Sequence, residues 1–192
     1  MSTLLPALPI EAETIAELAA QRTYDHILVE TTGVAEPRGI ADLFTRKNAF
    51  WRSLGDFAQL SALVTVVDAL NLLADYSSTD LLSARGETAG EGDDRSLVSL
   101  LVEQIEFADV VIVNKASAVS PEQLATVKQV VASLNADARI IEADFGTVAL
   151  DTILDTGLYD EERSEQHPLW MKELYDYASH RPESEEYGVE SS

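Results

Sequence analysis

Two four-residue stretches of this chain combine residue types that could hold a nucleotide and its metal ion. Glu30-Thr31-Thr32-Gly33 ends one short apolar run, and Asn114-Lys115-Ala116-Ser117 ends another. A carboxylate such as Glu30 can hold Mg²⁺ directly or through water. A glycine such as Gly33 lets its backbone N–H approach a phosphate closely. Glu30 can equally be a solvated acid and Gly33 a turn former. The second stretch is close to Asn-Lys-x-Asp, a guanine-binding sequence in which Asn bonds the base edge, the Lys stem covers the ring, and Asp accepts from guanine N1 and N2. Here Ser117 stands in place of Asp. One hydroxyl cannot accept from both nitrogens as a carboxylate does, and charge-assisted bonds are the stronger kind. On this reading Ser117→Asp raises the preference for guanine. Asn114-Lys115 can also be read as a plain turn into the next helix.

The elements that would position these residues follow from hydrophobic patterning. Four short apolar runs read as strands: His26–Glu30, Ala62–Asp68, Asp109–Asn114 and Ala138–Glu142. Runs apolar on both faces are the kind found in parallel sheets. Helices are expected from Glu11 to Gln21, from Pro37 through Ile40 and Phe44, over Ala69–Ala74, from Leu97 to Ala108, and from Ser120 onward. The last has Ser120 as its cap, Pro121 in its first turn and Gln123 completing a capping box. Its Leu124, Val127, Val131 and Leu134 share one face. In the helix before it, Leu97, Leu101, Ile105 and Ala108 point inward. Asp68 closes the second strand, either as a site residue or as the cap of the helix after it. Residues 77–95 read as a surface loop, 167–177 as a helix and 181–192 as a tail. Alternating strands and helices imply α/β architecture with right-handed crossovers. In such a sheet, ligands bind at the carboxyl ends of the strands, where both motifs fall.

Composition excludes several function classes. Thirty-four Asp and Glu face 13 Lys and Arg, for a net charge of −21. That field repels phosphate backbones and anionic membrane surfaces, so no nucleic acid and no membrane is expected as a partner. With no cysteine, disulfides, Cys-based zinc sites and thiol catalysis are excluded. His26, His167 and His180 lie far apart, and no transition-metal ligands are assigned. The first residues carry no basic stretch before their apolar ones, and no apolar run approaches 18 residues. The expectation is a soluble, cytoplasmic protein. The four lysines, Lys47, Lys115, Lys128 and Lys172, never follow a glycine, so no Gly-x-x-x-x-Gly-Lys-Ser/Thr phosphate loop is present.

Taken in order, HILVETTGVAEP, ALVTVVDALNLLADY, QIEFADVVIVNKAS, SPEQL, LNADARIIEADFGTVALDTILDTGLYD and HPLWMKELYDYASHRPESEEYGVESS form a specific set. From about Tyr24 to Val189 the chain resembles the CobW-type GTPases, metal chaperones related to the urease and hydrogenase nickel-insertion GTPases. The last segment looks most like the family's zinc-associated branch. The resemblance implies a parallel-sheet, P-loop-NTPase-like G domain, GTP and Mg²⁺ as cofactors, zinc as cargo, and a metalloprotein client. It implies that Glu30 and Gly33 serve Mg²⁺ and the γ-phosphate side. Asn114, Lys115 and Ser117 would face the guanine nucleotide, with the loop Ala143 to Gly146 near the base.

Three departures shape the expectations. Family members begin with a strand and phosphate loop, then carry a Cys-x-Cys-Cys motif, and end in a further domain. The chain is therefore expected to be an N-terminally incomplete G domain, residues 1–158, followed by an acidic helix and linker, 159–192. It would be a truncated product, half of a split gene or a fragment, and no autonomous GTPase. The strands 26–30 and 62–68 would lack a neighbour between them, an opening that a separate chain carrying the phosphate loop could fill. A non-catalytic interaction module, or a remnant, is the alternative.

Overall fold

A computed structural model describes residues 10–31, 37–45, 47, 51–76 and 97–162. The expected surface loop, the helix over 167–177 and the tail over 181–192 lie outside the described residues. The chain forms two compact units, Met1–Tyr159 and Asp160–Ser192. Of the second, only residues 160–162 are described.

The central strand is the most apolar run in the sequence. Val110-Val111-Ile112-Val113 is buried on both faces, as an interior parallel strand requires. This strand, β2 (Val110–Asn114), pairs in parallel with β1 (Val64–Asp68) on one side and β3 (Arg139–Glu142) on the other. The register sets Asp68 opposite Asn114 and Val113 opposite Glu142. At the amino end of the sheet, the buried Asp109 accepts the Leu63 N–H at 2.8 Å. Each strand begins or ends within two residues of its expected limits.

The helices are α1 (Ile10–Gln21), α2 (Pro37–Thr45), α3 (Leu72–Tyr76), α4 (Leu97–Glu106) and α5 (Pro121–Leu134). The capping box of α5 forms as its sequence specifies. Gln123 N donates to Ser120 Oγ at 3.2 Å, and Ser120 N donates to Gln123 Oε1 at 3.1 Å. Val127 and Val131 are fully buried, with Leu124 and Leu134 packed at their margin. They meet Ile105 and Ala108, from the end of α4 and the turn after it, on the sheet face that carries Val67, Val111 and Val113. The opposite face, Val110 and Ile112, is covered by Ala143, Val148, Ile153 and Leu158.

Asn135 ends α5 and stitches the layers together. Its Nδ2 lies 2.9, 3.0 and 2.8 Å from the carbonyl oxygens of Ile105, Glu106 and Ala108. Its Oδ1 accepts the N–H groups of Asp137 and Ala138. Carbonyls at the end of α4 and in the turn after it thus share a partner in another helix's cap, the Ile105 carbonyl also taking the Ala108 N–H. The helix ends at Glu106, two residues short of the expected Ala108.

One expected strand is absent. Residues 26–30 form no strand and pair with none of β1–β3. A strand is held by its ladder, and an apolar run with no neighbour to bond stays irregular. Ile27 instead joins a small cluster of Ile15 from α1, Leu43 and Phe44 from α2, and Leu54. Leu28, next in line, is 75% exposed. A tight turn, Leu54–Asp56, backs this cluster. A Cβ on its Gly55 would lie 2.7 Å from the Phe44 carbonyl oxygen, so only glycine fits there.

Candidate functional site at the strand ends

The carboxyl ends of β1, β2 and β3 carry a connected set of polar groups. Beyond Asn114 the backbone turns left-handed at Lys115 (φ 58°) and enters a 3-10 turn, Ala116–Ala118. That bend sends the Lys115 stem back across the sheet end, where Nζ meets Asp68 Oδ2 at 2.6 Å. Asp68 also accepts Leu70 N–H and Asn71 Nδ2, both at 2.9 Å. Asp68 thus caps the turn before α3 and pairs with Lys115; α3 itself begins at Leu72, three residues after the start expected for a helix over Ala69–Ala74.

Partial burial opposes ionisation of Asp68, but the hydrogen bonds from Lys115, Leu70 and Asn71 and the Lys115 charge outweigh it. The carboxyl is held below its ordinary value. The contribution of a group so depressed is present above the ordinary Asp value of ~3.9 and is lost as pH falls through the lower folded value. The Asp68 carboxyl carbon should therefore titrate below pH ~3.9 by NMR, and Lys115→Met should move its midpoint upward. An unchanged midpoint in the variant would show that the pair does not govern Asp68.

The loop after β3 is pinned to the loop after β2 at four points. Ala143 N donates to Val113 O at 3.0 Å, and Ala116 N to Ala143 O at 3.1 Å. Gly146 N donates to Asn114 Oδ1 at 3.0 Å. Ser117 donates to Asp144 Oδ1 twice, from its N–H at 3.0 Å and its Oγ at 2.9 Å. The bond from Gly146 occupies the Asn114 amide oxygen, while its Nδ2 donates to none of the described residues. Phe145 and Gly146 both take positive φ, 53° and 68°, at the loop tip, and the Phe145 ring is 99% exposed. Beside this loop, Lys128 and Glu142 form an exposed ion pair.

Asn114, Lys115 and Ser117 are thus brought together at one sheet end, and Asp68 joins them. Glu30 is exposed and lies in the irregular segment; Gly33 is outside the described residues. No group of three or more His, Cys, Asp or Glu able to hold a metal ion occurs among the described residues. One exposed carboxylate suits Mg²⁺ only as a further ligand to an ion already carried by a nucleotide's phosphates. The loop Ala143 to Gly146, which the resemblance sets near the base, contains Asp144, whose pairing with Ser117 the sequence did not reveal. No helix among the described residues is long and apolar enough to cross a membrane.

Comparison with known proteins gives the family. Residues 10–142 match the family described as CobW/HypB/UreG, nucleotide-binding domain. The chain is 36% identical over 178 residues to a zinc-regulated GTPase metalloprotein activator 1 from Dictyostelium discoideum, covering 92% of this chain and 37% of that protein. It is 31% identical over 142 residues to the Schizosaccharomyces pombe protein of the same name, covering 73% and 29%. It is 30% identical over 143 residues to the zinc chaperone CobW of Pseudomonas aeruginosa, covering 72% and 37%. The chain therefore spans between 29% and 37% of the length of these three relatives. No solved structure matches it. With parallel strands, crossover helices and an Asn-Lys turn at the sheet's carboxyl end, the chain has a P-loop-NTPase-like α/β fold and belongs to the CobW/HypB/UreG nucleotide-binding-domain family.

Proposed function

We propose that this chain supplies the base-recognition side of a GTP-binding domain in a zinc-type metal chaperone. The observation that carries the reading is Asn114-Lys115 on the left-handed turn after β2, with the Asn114 amide oxygen occupied by Gly146 and its Nδ2 donating to none of the described residues. In this reading Asn114 donates to the purine edge, the Lys115 stem lies along the ring, and Ser117 faces the base. Glu30 and Gly33 serve the Mg²⁺ and γ-phosphate side. Membership of the family, and relatives named zinc-regulated GTPase metalloprotein activator and zinc chaperone, support GTP as ligand, zinc as cargo and a metalloprotein as client. The sequence contains no Gly-x-x-x-x-Gly-Lys-Ser/Thr, so we assign nucleotide binding to this chain and hydrolysis only together with such a loop. The net charge of −21 supports a protein that avoids nucleic acid and anionic membrane surfaces.

The test is a titration of the protein with a fluorescent GTP analogue and Mg²⁺, followed by a thermal melt. Saturation in the micromolar range is expected. At ligand 100-fold above Kd, the melt should rise by the equivalent of about 2.7 kcal/mol. A flat titration with an unchanged melt would overturn the reading.

A further inference from the structure

We propose that Ser117 and Asp144 act together as the guanine-selecting pair, the hydroxyl and the carboxylate each giving one acceptor. The proposal rests on the base-recognition reading above.

Guanine offers two adjacent donors on one edge, N1–H and the N2 amino group. A single aspartate ordinarily suffices, because its two oxygens can accept one each. Ser117 alone cannot replace it. Its Oγ, however, is 2.9 Å from Asp144 Oδ1, and its own N–H is 3.0 Å from the same oxygen. The carboxylate has no proton to give, so the Ser117 hydroxyl must be the donor. Two consequences follow. The Ser117 proton is committed to Asp144, which leaves the Oγ lone pairs free to accept. Both hydrogen bonds fall on Oδ1, so Oδ2 takes none from the described residues. Oγ and Oδ2 thus present two neighbouring acceptors, one of them ionised, at the position where one carboxylate would have served. The five bonds that pin the loops hold this arrangement before any ligand arrives.

This geometry reverses an expectation drawn from the sequence. Ser117→Asp does not add a missing carboxylate. It sets a second one within hydrogen-bond distance of Asp144, where like charges repel. The single substitution should therefore weaken binding of guanine nucleotide. The exchange Ser117→Asp with Asp144→Ser keeps one carboxylate and one hydroxyl, and should keep the preference.

The decisive variant is Asp144→Asn. Its amide oxygen can still accept from Ser117, so the 3-10 turn keeps its cap, but its outer atom becomes an N–H donor. That donor opposes the N2 amino group of guanine and suits the O2 carbonyl of xanthine. The experiment is competition by GTP, ITP and XTP against a fluorescent GTP analogue, using the full chain with Mg²⁺. Circular dichroism melts monitor folding of each variant. The wild-type protein should favour GTP over ITP, which lacks the N2 amino group, by about 10-fold. Asp144→Asn should abolish that ratio and raise the relative affinity for XTP. Retention of the GTP-to-ITP ratio in Asp144→Asn would overturn the proposal and leave nucleotide binding intact, with Asp144 only a cap of the turn. Equal affinity of the wild type for GTP and ITP would also overturn it. Failure of the wild type to bind any of the three would overturn the base-recognition reading and this proposal together.

Discussion

Replacing Asn135 with alanine is expected to lower the unfolding free energy by about 3 kcal/mol, a large share of what a domain of this size holds. One side-chain amide serves three carbonyls and two backbone N–H groups here. Truncation removes these part-buried bonds together; the Ile105 carbonyl keeps the Ala108 N–H, and the cost falls mainly on the Glu106 and Ala108 carbonyls and the Ala138 N–H. Asn135→Asp is the sharper test. It keeps size and the Oδ1 acceptor, yet turns a carboxylate oxygen toward the carbonyls of Ile105, Glu106 and Ala108. The nearly isosteric variant should be at least as damaging as alanine at pH 7. Urea denaturation measures both; an Asp variant as stable as wild type would remove Asn135 from its structural role.

The second large effect is expected at Ile105. Its side chain is 0% exposed and lies in the core where α5 meets the sheet. Ile105→Ala should cost about 2–5 kcal/mol, from lost apolar transfer and an incompletely collapsed cavity, whereas Ile105→Val should cost about 0.5–1.5. Leu150, 67% exposed, provides the control, and its truncation should change little. Scanning calorimetry would distinguish these cases; equal losses at Ile105 and Leu150 would contradict the assigned core. Because Asn135 bonds the Ile105 carbonyl, the two sites share one piece of backbone. Their double variant should depart from additivity.

How far these features could be read in advance depended on the range of the interaction. The run Val110–Val113 declared a buried parallel strand because nothing in it tolerates water on either face. The α5 start was equally legible, since Ser120, Pro121 and Gln123 carry a local mechanism. The run at 26–30 looked just as apolar and failed, because periodicity reports hydrophobicity and not whether a neighbour exists to complete the ladder. Asn114-Lys115 was found from its place after a strand. Its partners were not, for Lys115 meets Asp68 across 47 positions and Ser117 meets Asp144 across 27. Such pairs exist only after the crossovers have closed, and no local pattern encodes them.

The all-parallel order β1-β2-β3 also has a consequence in time. Every pairing in the sheet must wait for a long chain segment to close on itself. The joint between β1 and β2 links Leu63 to Asp109, 46 positions apart. The joint on the other side links Ala108 to Asn135, 27 positions apart. Loop-closure entropy favours the shorter by roughly 0.5 kcal/mol. It also has a well-capped helix, α5, inside its loop to shorten the search. Loop closure thus gives a roughly twofold bias toward bringing Asn114, Ser117 and Asp144 together before the Lys115–Asp68 contact latches β1 to the pair.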